Sequence, residues 1–367
     1  WAMGEASGVA AAMAASAHRV TLDVVHNRVI CNSMEPRGAF AEWDGPRLHL
    51  CVNGQGVWVQ KDELVRMMRL DRENVRVTNP DVGGGFGMKG MVYPEYVLIA
   101  QAAKMLGRPV RWMSERTEAM LSDNGARDLV ARTELGFDED FKITAYSVDI
   151  LSNMGAYNSQ FAQAIQSTLF SKVVTGGYDV TDVHLRARGI YTHTTPIDAY
   201  RGAGRPEAIL TLERAMDNAA RRLGVDPFDL RRRNLITSFP YRMQNGETIE
   251  DGDFVRVLNR VRAEADVDGF AARARASGLK GLVRGMGLAF YIESILGSPE
   301  ETARIEFEPD GEIAIYVGTQ SNGQGHETVY AQMVAAQTGV DAGLIRVVQG
   351  DSDRIAKGGG TGGSRSV

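Results

Sequence analysis

A chain of 367 residues, 44% hydrophobic and 24% charged, has ordinary globular composition and enough length for two or three domains or lobes. Disorder, a collagen-like repeat and a membrane bundle are excluded, and no run of about 18 apolar residues exists that would span a bilayer. A net charge of −5 is the wrong sign for a surface built to neutralise nucleic-acid phosphates.

Only two cysteines occur, Cys31 and Cys51, so no disulfide framework is encoded and four thiolates for an iron–sulfur cluster are lacking. This usage fits a reducing, cytoplasmic setting. The six histidines show no metal-ligand spacing. Glycine is the one excess, 41 residues or about 11% against the usual value near 7%, and the glycines cluster. The chain begins at Trp1 and stops at Val367 just after a glycine run, and it reads as a fragment of a longer protein.

In chain order, the small-residue run Ala10–Ala17 reads as a short surface helix, since no basic segment precedes it to make a signal peptide. From Met34 the sequence MEPRGAFAEWDGPRLHLCVNGQG is an alternating strand, an Asp-Gly turn and a second alternating strand ending in Gly-Gln-Gly. A helical stretch, the strand Val75-Arg76-Val77, Asp81 and the run Gly83–Gly87 follow. Pro94 opens a helix through Met105, Val110–Met113 reads as a strand, and Arg132–Leu151 reads as a hairpin turning at Asp138-Glu139-Asp140. Pro206 starts a helix stopped by Gly224, and Asp226-Pro227 caps a third that carries Arg231-Arg232-Arg233, read as a solvated face. Phe239–Lys280 is polar and mostly helical.

From Glu301 the first pattern returns. ETARIEFEPDGEIAIYVGTQSNGQG is again hairpin and Gly-Gln-Gly, followed by a helix, Ile345-Arg346-Val347, Asp351 and the run Gly358–Gly363, all displaced by about 270 residues. The fold class expected is therefore α+β: two pseudo-repeated lobes of mixed sheets and helices whose Gly-rich loops converge on one ligand. The lobes are set at 1–237 and 281–367, with 238–280 as a mostly helical connection.

Three motifs carry chemistry. In DVGGGFGMKG, residues 81–90, consecutive glycines between a strand and a helix let backbone N–H groups converge on an anion. Gly85, Gly87 and Gly90 also satisfy G-x-G-x-x-G, so a Rossmann-type nicotinamide-dependent dehydrogenase stands as the rival, with a tight structural turn beside it. DAYRGAGRPE, residues 198–207, places Arg201 and Arg205 on a glycine bend before a helix, suited to an anion or equally to ion pairs at a helix entry. Gln320–His326 offers Gln324 and His326 on a glycine-flanked turn, although a lone histidine is as readily an ordinary polar residue and Glu327 a first-turn helix acid.

These segments, together with VVHNRVICNSMEPRGAF, YPEYVLIA, LGRPVRW, IRVVQGDSD and GGGTGGSRS, resemble the molybdenum-binding large subunit of the aldehyde oxidase, xanthine dehydrogenase and carbon monoxide dehydrogenase family. The resemblance runs through essentially the whole chain, whereas that subunit is about twice as long. It implies the fold known as the aldehyde oxidase molybdenum cofactor-binding fold. It also implies molybdopterin cytosine dinucleotide, the usual bacterial form, with molybdenum held through the pterin dithiolene and no direct protein ligand.

Carried onto this sequence, the resemblance makes Gln55 and Arg201 the catalytic pair beside the metal. It assigns cofactor binding to Gly84, Gly85, Phe86, Gly87, Gly202, Gln324, Gly325, His326, Thr361, Ser364, Arg365 and Ser366. Gly202 stands where carbon monoxide oxidisers carry a copper-bridging cysteine, which disfavours that chemistry. Gly90 and Ala203 stand where purine oxidisers carry a glutamate and a stacking phenylalanine. The implied reaction is hydroxylation of an aldehyde or N-heteroaromatic with water as oxygen source. Electrons pass to a small [2Fe–2S] subunit and a medium FAD subunit, arranged as a dimer of heterotrimers. The family's general base is a glutamate in a Gly-Val-Gly-Glu segment that these residues do not include, so the fragment alone is expected to be inactive. A cofactor-binding protein without turnover is the remaining alternative.

Overall fold

A computed structural model of the chain describes residues 1–296, 301–309 and 311–366. The chain forms two compact units, one of residues 1–28, 127–194 and 203–294, the other of 29–126, 195–202 and 295–367.

The first unit is built on a five-stranded mixed sheet in the order Ala2–Met3, Val183–Tyr191, Ile143–Gly155, Gly125–Phe137, His18–Ile30. Its central hairpin is longer than Arg132–Leu151, running from Gly125 to Gly155. The turn falls where expected, because Asp138 Oδ1 accepts from the amides of Asp140 and Lys142. Alternation puts Ala131, Leu135, Val148, Ile150 and Leu185 on one face, fully buried. Against them lies the helix Arg205–Leu223, presenting Ala208, Leu212, Ala215, Met216 and Ala219, and capped by Gly224 at φ +69°. The expected surface helix is Ala6–Ala15, which buries only Val9 and Met13, against Ala145.

Residues 239–280 belong to this unit as well. They form a small hairpin, Tyr241–Arg242 with Thr248–Ile249, and the helices Phe254–Glu264 and Phe270–Gly278, and Leu258 enters the main core.

The triple arginine corrects the solvated-face reading. Arg231 on the helix Pro227–Asn234 is fully buried, with its guanidinium 2.9 Å from both Glu213 and Asp217. Glu213 in turn accepts from Tyr178 Oη at 2.5 Å and from the Phe290 amide at 2.7 Å. A charge run shows only composition; which member turns inward depends on a carboxylate from another helix.

The second unit contains both sequence repeats. In the first, Gly38–Asp44 pairs antiparallel with Arg47–Val52; the helix Trp58–Met68 then crosses over to Val75–Thr78, which lies parallel to Arg47–Val52. In the second, Ala303–Phe307 pairs antiparallel with Ile313–Val317, and the helix His326–Thr338 crosses to Ile345–Val348, again parallel. The expected hairpin, helix and strand are thus present twice with one topology; Asp310 of the second Asp-Gly turn lies outside the described residues. Strand Val110–Met113 extends the first sheet to four and the helix Pro94–Leu106 covers it. The repeats pack on each other: Arg76 pairs with Asp351 at 2.8 Å, and Ala314, Val348 and Ile355 share a core with Leu48, Leu50 and Val77.

Among the described residues of this unit no doubly wound parallel sheet is formed. The strand Gly38–Asp44 is antiparallel to both neighbours, and Met88–Gly90 is a short 3₁₀ turn where a dinucleotide fold would open a long helix. The Rossmann reading fails on this topology.

One buried histidine makes the first unit's stability depend on pH. His26 is 5% exposed, its Nε2 lies 2.9 Å from Thr211 Oγ1, and burial with the nearby Arg127 charge holds its pKa down to about 4. The unfolded chain takes up this proton near pH 6.5, so the contribution is fully present above that pH and is lost as pH falls towards 4. The wild type should therefore lose up to about 3 kcal/mol across this window relative to His26→Gln, measured as the difference between their urea midpoints at pH 7 and pH 4.

Candidate functional site

Part of the set singled out by sequence, namely Gly85, Gly87 and Thr361, meets within the second unit around one carboxamide, that of Gln55. Gln55 lies three positions past the strand Arg47–Val52, on a turn that Gly56 completes at φ +148°. Its side chain is buried; Nε2 donates to the Thr361 carbonyl at 2.7 Å and Oε1 accepts from the Gly87 amide at 2.8 Å. The Thr361 amide returns a 2.7 Å bond to the Gln55 carbonyl. One residue of the first repeat therefore joins both glycine runs.

The glycines are explained by this closeness. A Cβ on Gly85 would lie 2.6 Å from Gln55 Oε1, and one on Gly360 would lie 2.4 Å from the Gln55 carbonyl oxygen. Gly87 has φ +108°, and its Cβ would lie 2.6 Å from the Ala199 carbonyl oxygen. Phe86, at φ 52°, keeps its ring 46% exposed, and its carbonyl accepts from the Arg201 amide at 2.8 Å. The bend at Arg201 and Gly202 thus lies directly on the glycine run, with Gly202 at φ +95° and the Arg201 side chain exposed.

The run offers fewer free amides than its sequence suggests. Gly83 N–H is taken by Glu35 Oε2, Gly84 N–H by the Asn322 carbonyl and Gly87 N–H by Gln55. Among the described residues, the amides of Gly85 and Phe86 are those of the run left without a protein acceptor. Lys89 does not extend the cradle either. It is fully buried, its Nζ lies 2.8 Å from Glu35 Oε2, and burial lowers its pKa. Lysine and glutamate hold the loop from beneath and cancel each other's charge.

The second repeat contributes backbone more than side chains. Gly325, at φ +78°, caps the helix His326–Thr338, whose first-turn amides have no partners inside the helix. The His326 imidazole is fully buried and stacks on Tyr330 at 4.9 Å. Gln324 is exposed and accepts from the Asn322 amide at 2.6 Å. Glu327 is a first-turn acid held by Gln349. In the last segment Ser364 is exposed and Ser366 half-buried, whereas Arg365 folds back to donate to the Gly360 carbonyl at 3.1 Å.

Of the two readings left open for the bend, Arg205 takes the ion pair: it is buried in the first unit and pairs with Glu293 at 2.9 Å, so it adds no open charge. One feature escaped the sequence reading. Gln320 is buried; its backbone N–H donates to Thr361 Oγ1 at 2.9 Å, and its backbone carbonyl accepts from that hydroxyl at 2.5 Å. A signal for it existed: Gln320 follows the end of Ile313–Val317 by three positions, as Gln55 follows its own strand. Matching on Gly-Gln-Gly selected Gln324 instead.

Comparison with known proteins gives one consistent answer. A molybdopterin cofactor-binding domain model matches residues 1–235, and a second such model matches residues 260–367. The chain is 32% identical to the nicotine 6-hydroxylase large subunit of Paenarthrobacter nicotinovorans over 93% of its length and 44% of the relative's. It is 30% identical to the carbon monoxide dehydrogenase large chain of Hydrogenophaga pseudoflava, covering 100% of this chain and 48% of that one. The crystal structure of quinoline 2-oxidoreductase from Pseudomonas putida 86 superposes with a TM-score of 0.93 at 29% identity, over 100% of this chain and 48% of that one. The chain spans about half the length of the curated relatives it matches.

Neighbouring glycines should respond very differently to the same methyl group. Gly87→Ala meets both a positive φ and a backbone oxygen and should cost at least about 2 kcal/mol. Gly90→Ala, with nothing within 4 Å of its Cβ position, should stay within about 0.5 kcal/mol of wild type. Urea unfolding of the two variants, followed in parallel, checks the contrast.

Proposed function

This chain belongs to the molybdopterin cofactor-binding family of molybdenum hydroxylase large subunits, and from that premise we propose that it is part of an enzyme that hydroxylates an aldehyde or N-heteroaromatic, with water as the oxygen source. The observation that carries the proposal is the junction at Gln55, which draws two glycine runs together with space only for backbone around it.

The residues present fit a large anionic cofactor. The unpartnered amides of Gly85 and Phe86 and the helix start at Gly325–His326 supply N–H dipoles, and the carboxylate nearest the run, Glu35, is neutralised by Lys89. We assign Gly84, Gly85, Phe86, Gly87 and Gly202 to the pterin side of the cofactor. Gln324, Gly325, His326, Thr361, Ser364, Arg365 and Ser366 take its pyrophosphate and nucleotide, with the cytosine dinucleotide as the form bound. The fully buried His326 ring enters this assignment as support for the Gly325–His326 backbone.

When bound, molybdopterin supplies the two-electron redox chemistry, and the protein supplies position and hydrogen bonds. Gln55 spends one Nε2–H on Thr361, which leaves the second N–H of that amide as the donor for the reacting centre. Arg201 is held by its own amide on Phe86, so its exposed side chain is placed at the edge of the same loop.

The substrate side is supported by two positions. Gly202 at φ +95° strains any residue that carries a Cβ, a cysteine included. Around Gly90 no atom of the described residues, its chain neighbours and own turn aside, lies within 4 Å of the Cβ position, so packing does not demand the glycine. The proposed partners are a [2Fe–2S] subunit and an FAD subunit in a dimer of heterotrimers, since electrons leaving the centre need carriers that two cysteines, Cys31 and Cys51, cannot ligate. By sequence repeat we assign residues 1–237 and 281–367 to two cofactor-binding lobes joined by 238–280. Turnover, substrate and partners are proposed of the whole protein.

Molybdenum measured by plasma mass spectrometry on natively purified protein, with acid-released nucleotide identified alongside, should give near-stoichiometric metal and CMP. Gln55→Ala should retain about tenfold less molybdenum, the scale on which residues outside direct ligation affect metal retention. Absence of both metal and pterin from undenatured wild type overturns the proposal. Full cofactor without oxidation of any aldehyde or N-heteroaromatic by an artificial acceptor favours binding without turnover.

A further inference from the structure

The two repeats of the second unit differ in what lies over their first strands. In the first repeat Gly38–Asp44 is an inner strand, paired with Arg47–Val52 along one edge and with Val110–Met113 along the other. Its face with Ala39, Ala41 and Trp43 is closed by the helix Pro94–Leu106. Tyr96, Ala100 and Ala103 of that helix share the core with this face, and the Ala100 carbonyl accepts from Trp43 Nε1 at 2.9 Å.

In the second repeat the corresponding strand is Ala303–Phe307, and register fixes the correspondence. Ala39 opposes Val52 and Ala303 opposes Val317, each partner lying three positions before its glutamine, so Ile305 matches Ala41 and Phe307 matches Trp43. Among the described residues, Ile313–Val317 is the one strand paired with Ala303–Phe307, which leaves the other edge with open N–H and C=O groups. Ala41 is fully buried, whereas Ile305 is 49% and Phe307 81% exposed. Both continue the apolar face that Ile313, Ile315 and Ile345 form with Ala331 of the helix His326–Thr338. The opposite face of the strand is satisfied by its own residues: Arg304 pairs with Glu306 and lies 4.1 Å over the Tyr316 ring. Edge strands that meet water are blunted by charge, proline or a bulge, and the apolar side of this one carries none of these.

We propose that this edge and face receive a later segment of the same polypeptide, a helix laid over Ile305 and Phe307 and a short strand added antiparallel to Ala303–Phe307. The repeat identifies the occupant. In the first copy the run Gly83–Gly87 is followed by the helix Pro94–Leu106 and then the strand Val110–Met113, so the counterpart is the stretch that follows Gly358–Gly363 in the whole protein. The chain spans about half the length of the curated relatives it matches, which leaves ample length for such a stretch. Volume sets one further requirement. Where the first strand offers Ala41 the second offers isoleucine, so the incoming helix carries small side chains at that crossing.

Hydrogen exchange on the natively purified whole protein reads the edge directly, because alternate amides of an edge strand point away from their neighbour. Every amide from Arg304 to Phe307 should exchange at least about a hundredfold more slowly than in an unfolded chain. A cryo-electron map of the same wild-type material should show the added strand and helix, both within about 30 residues after Gly363 of the same polypeptide. Phe307→Asp, a neutral change on a solvent-facing strand, should lower the thermal midpoint of the whole protein by at least about 4 °C. Alternate amides exchanging at the unprotected rate overturn the proposal, as does a map with solvent, another subunit, a second copy or a remote stretch of the chain beside Ala303–Phe307, or an unchanged midpoint in Phe307→Asp. Exchange and map use wild-type protein, so a variant that fails to fold leaves the test standing.

Discussion

The cradle depends on a neutral group that donates and accepts at the same depth. The Gln55 carboxamide gives a hydrogen to the Thr361 carbonyl and takes one from the Gly87 amide, and it does both without an ionisable group. A glutamate would confront the Thr361 carbonyl with a second acceptor and bury a charge; a methionine would leave both backbone groups unpaired. Because the carboxamide and its own backbone occupy the space beside Gly85 and Gly360, the chain there must lack side chains. The glycines at positions 85 and 360 thus follow from one buried amide.

Of the charged side chains beside the glycine run, Arg201 is exposed at the loop's edge, and Lys89, Glu35 and Arg365 are engaged within the protein. Lys89 is consumed by Glu35, and Arg365 lies back on the Gly360 carbonyl. What the loops present is N–H dipoles at Gly85, Phe86 and the start of the helix at His326. Dipoles of this kind stabilise an anion without requiring burial of a counterion, and they do not titrate.

The architecture was legible because it rests on periodicity and punctuation. Strict alternation on either side of Asp44-Gly45, proline at the start of Pro94–Leu106 and Gly224 at the end of Arg205–Leu223 each reflect local geometry, and each element formed with its ends shifted by a few residues. Pairings over long sequence separations were not legible. Arg231 reads as one of three solvated arginines until Glu213 and Asp217, on another helix, are brought to it; for Arg205 the sequence leaves anion binding and an ion pair open until Glu293 decides between them. Within the site, the run from Gly83 to Gly87 was legible from residue type and spacing, whereas Gln55 was singled out only through the family resemblance. The partial use of that run's amides was not, because their acceptors, Glu35, Gln55 and Asn322, come from three separate loops.

The two repeats show how one topology yields unequal sites. Each places a glutamine three residues beyond its middle strand, Gln55 in one and Gln320 in the other, and each glutamine is met by a glycine too close for any Cβ, Gly85 and Gly350. The next residues differ. In the first repeat the helix begins at Trp58, directly after the turn; in the second the turn runs on through Asn322, Gly323 and Gln324 before the helix begins at His326. That longer turn lets Asn322 reach back to the Gly84 amide, while Gln320 is left to donate to the Pro80 and Ser321 carbonyls as a packing post. The shorter turn keeps Gln55 on the glycine run itself. A few inserted residues, with strands and register unchanged, thus turn one copy of the motif into the cradle's centre and the other into its support, with Thr361 hydrogen-bonded to both glutamines.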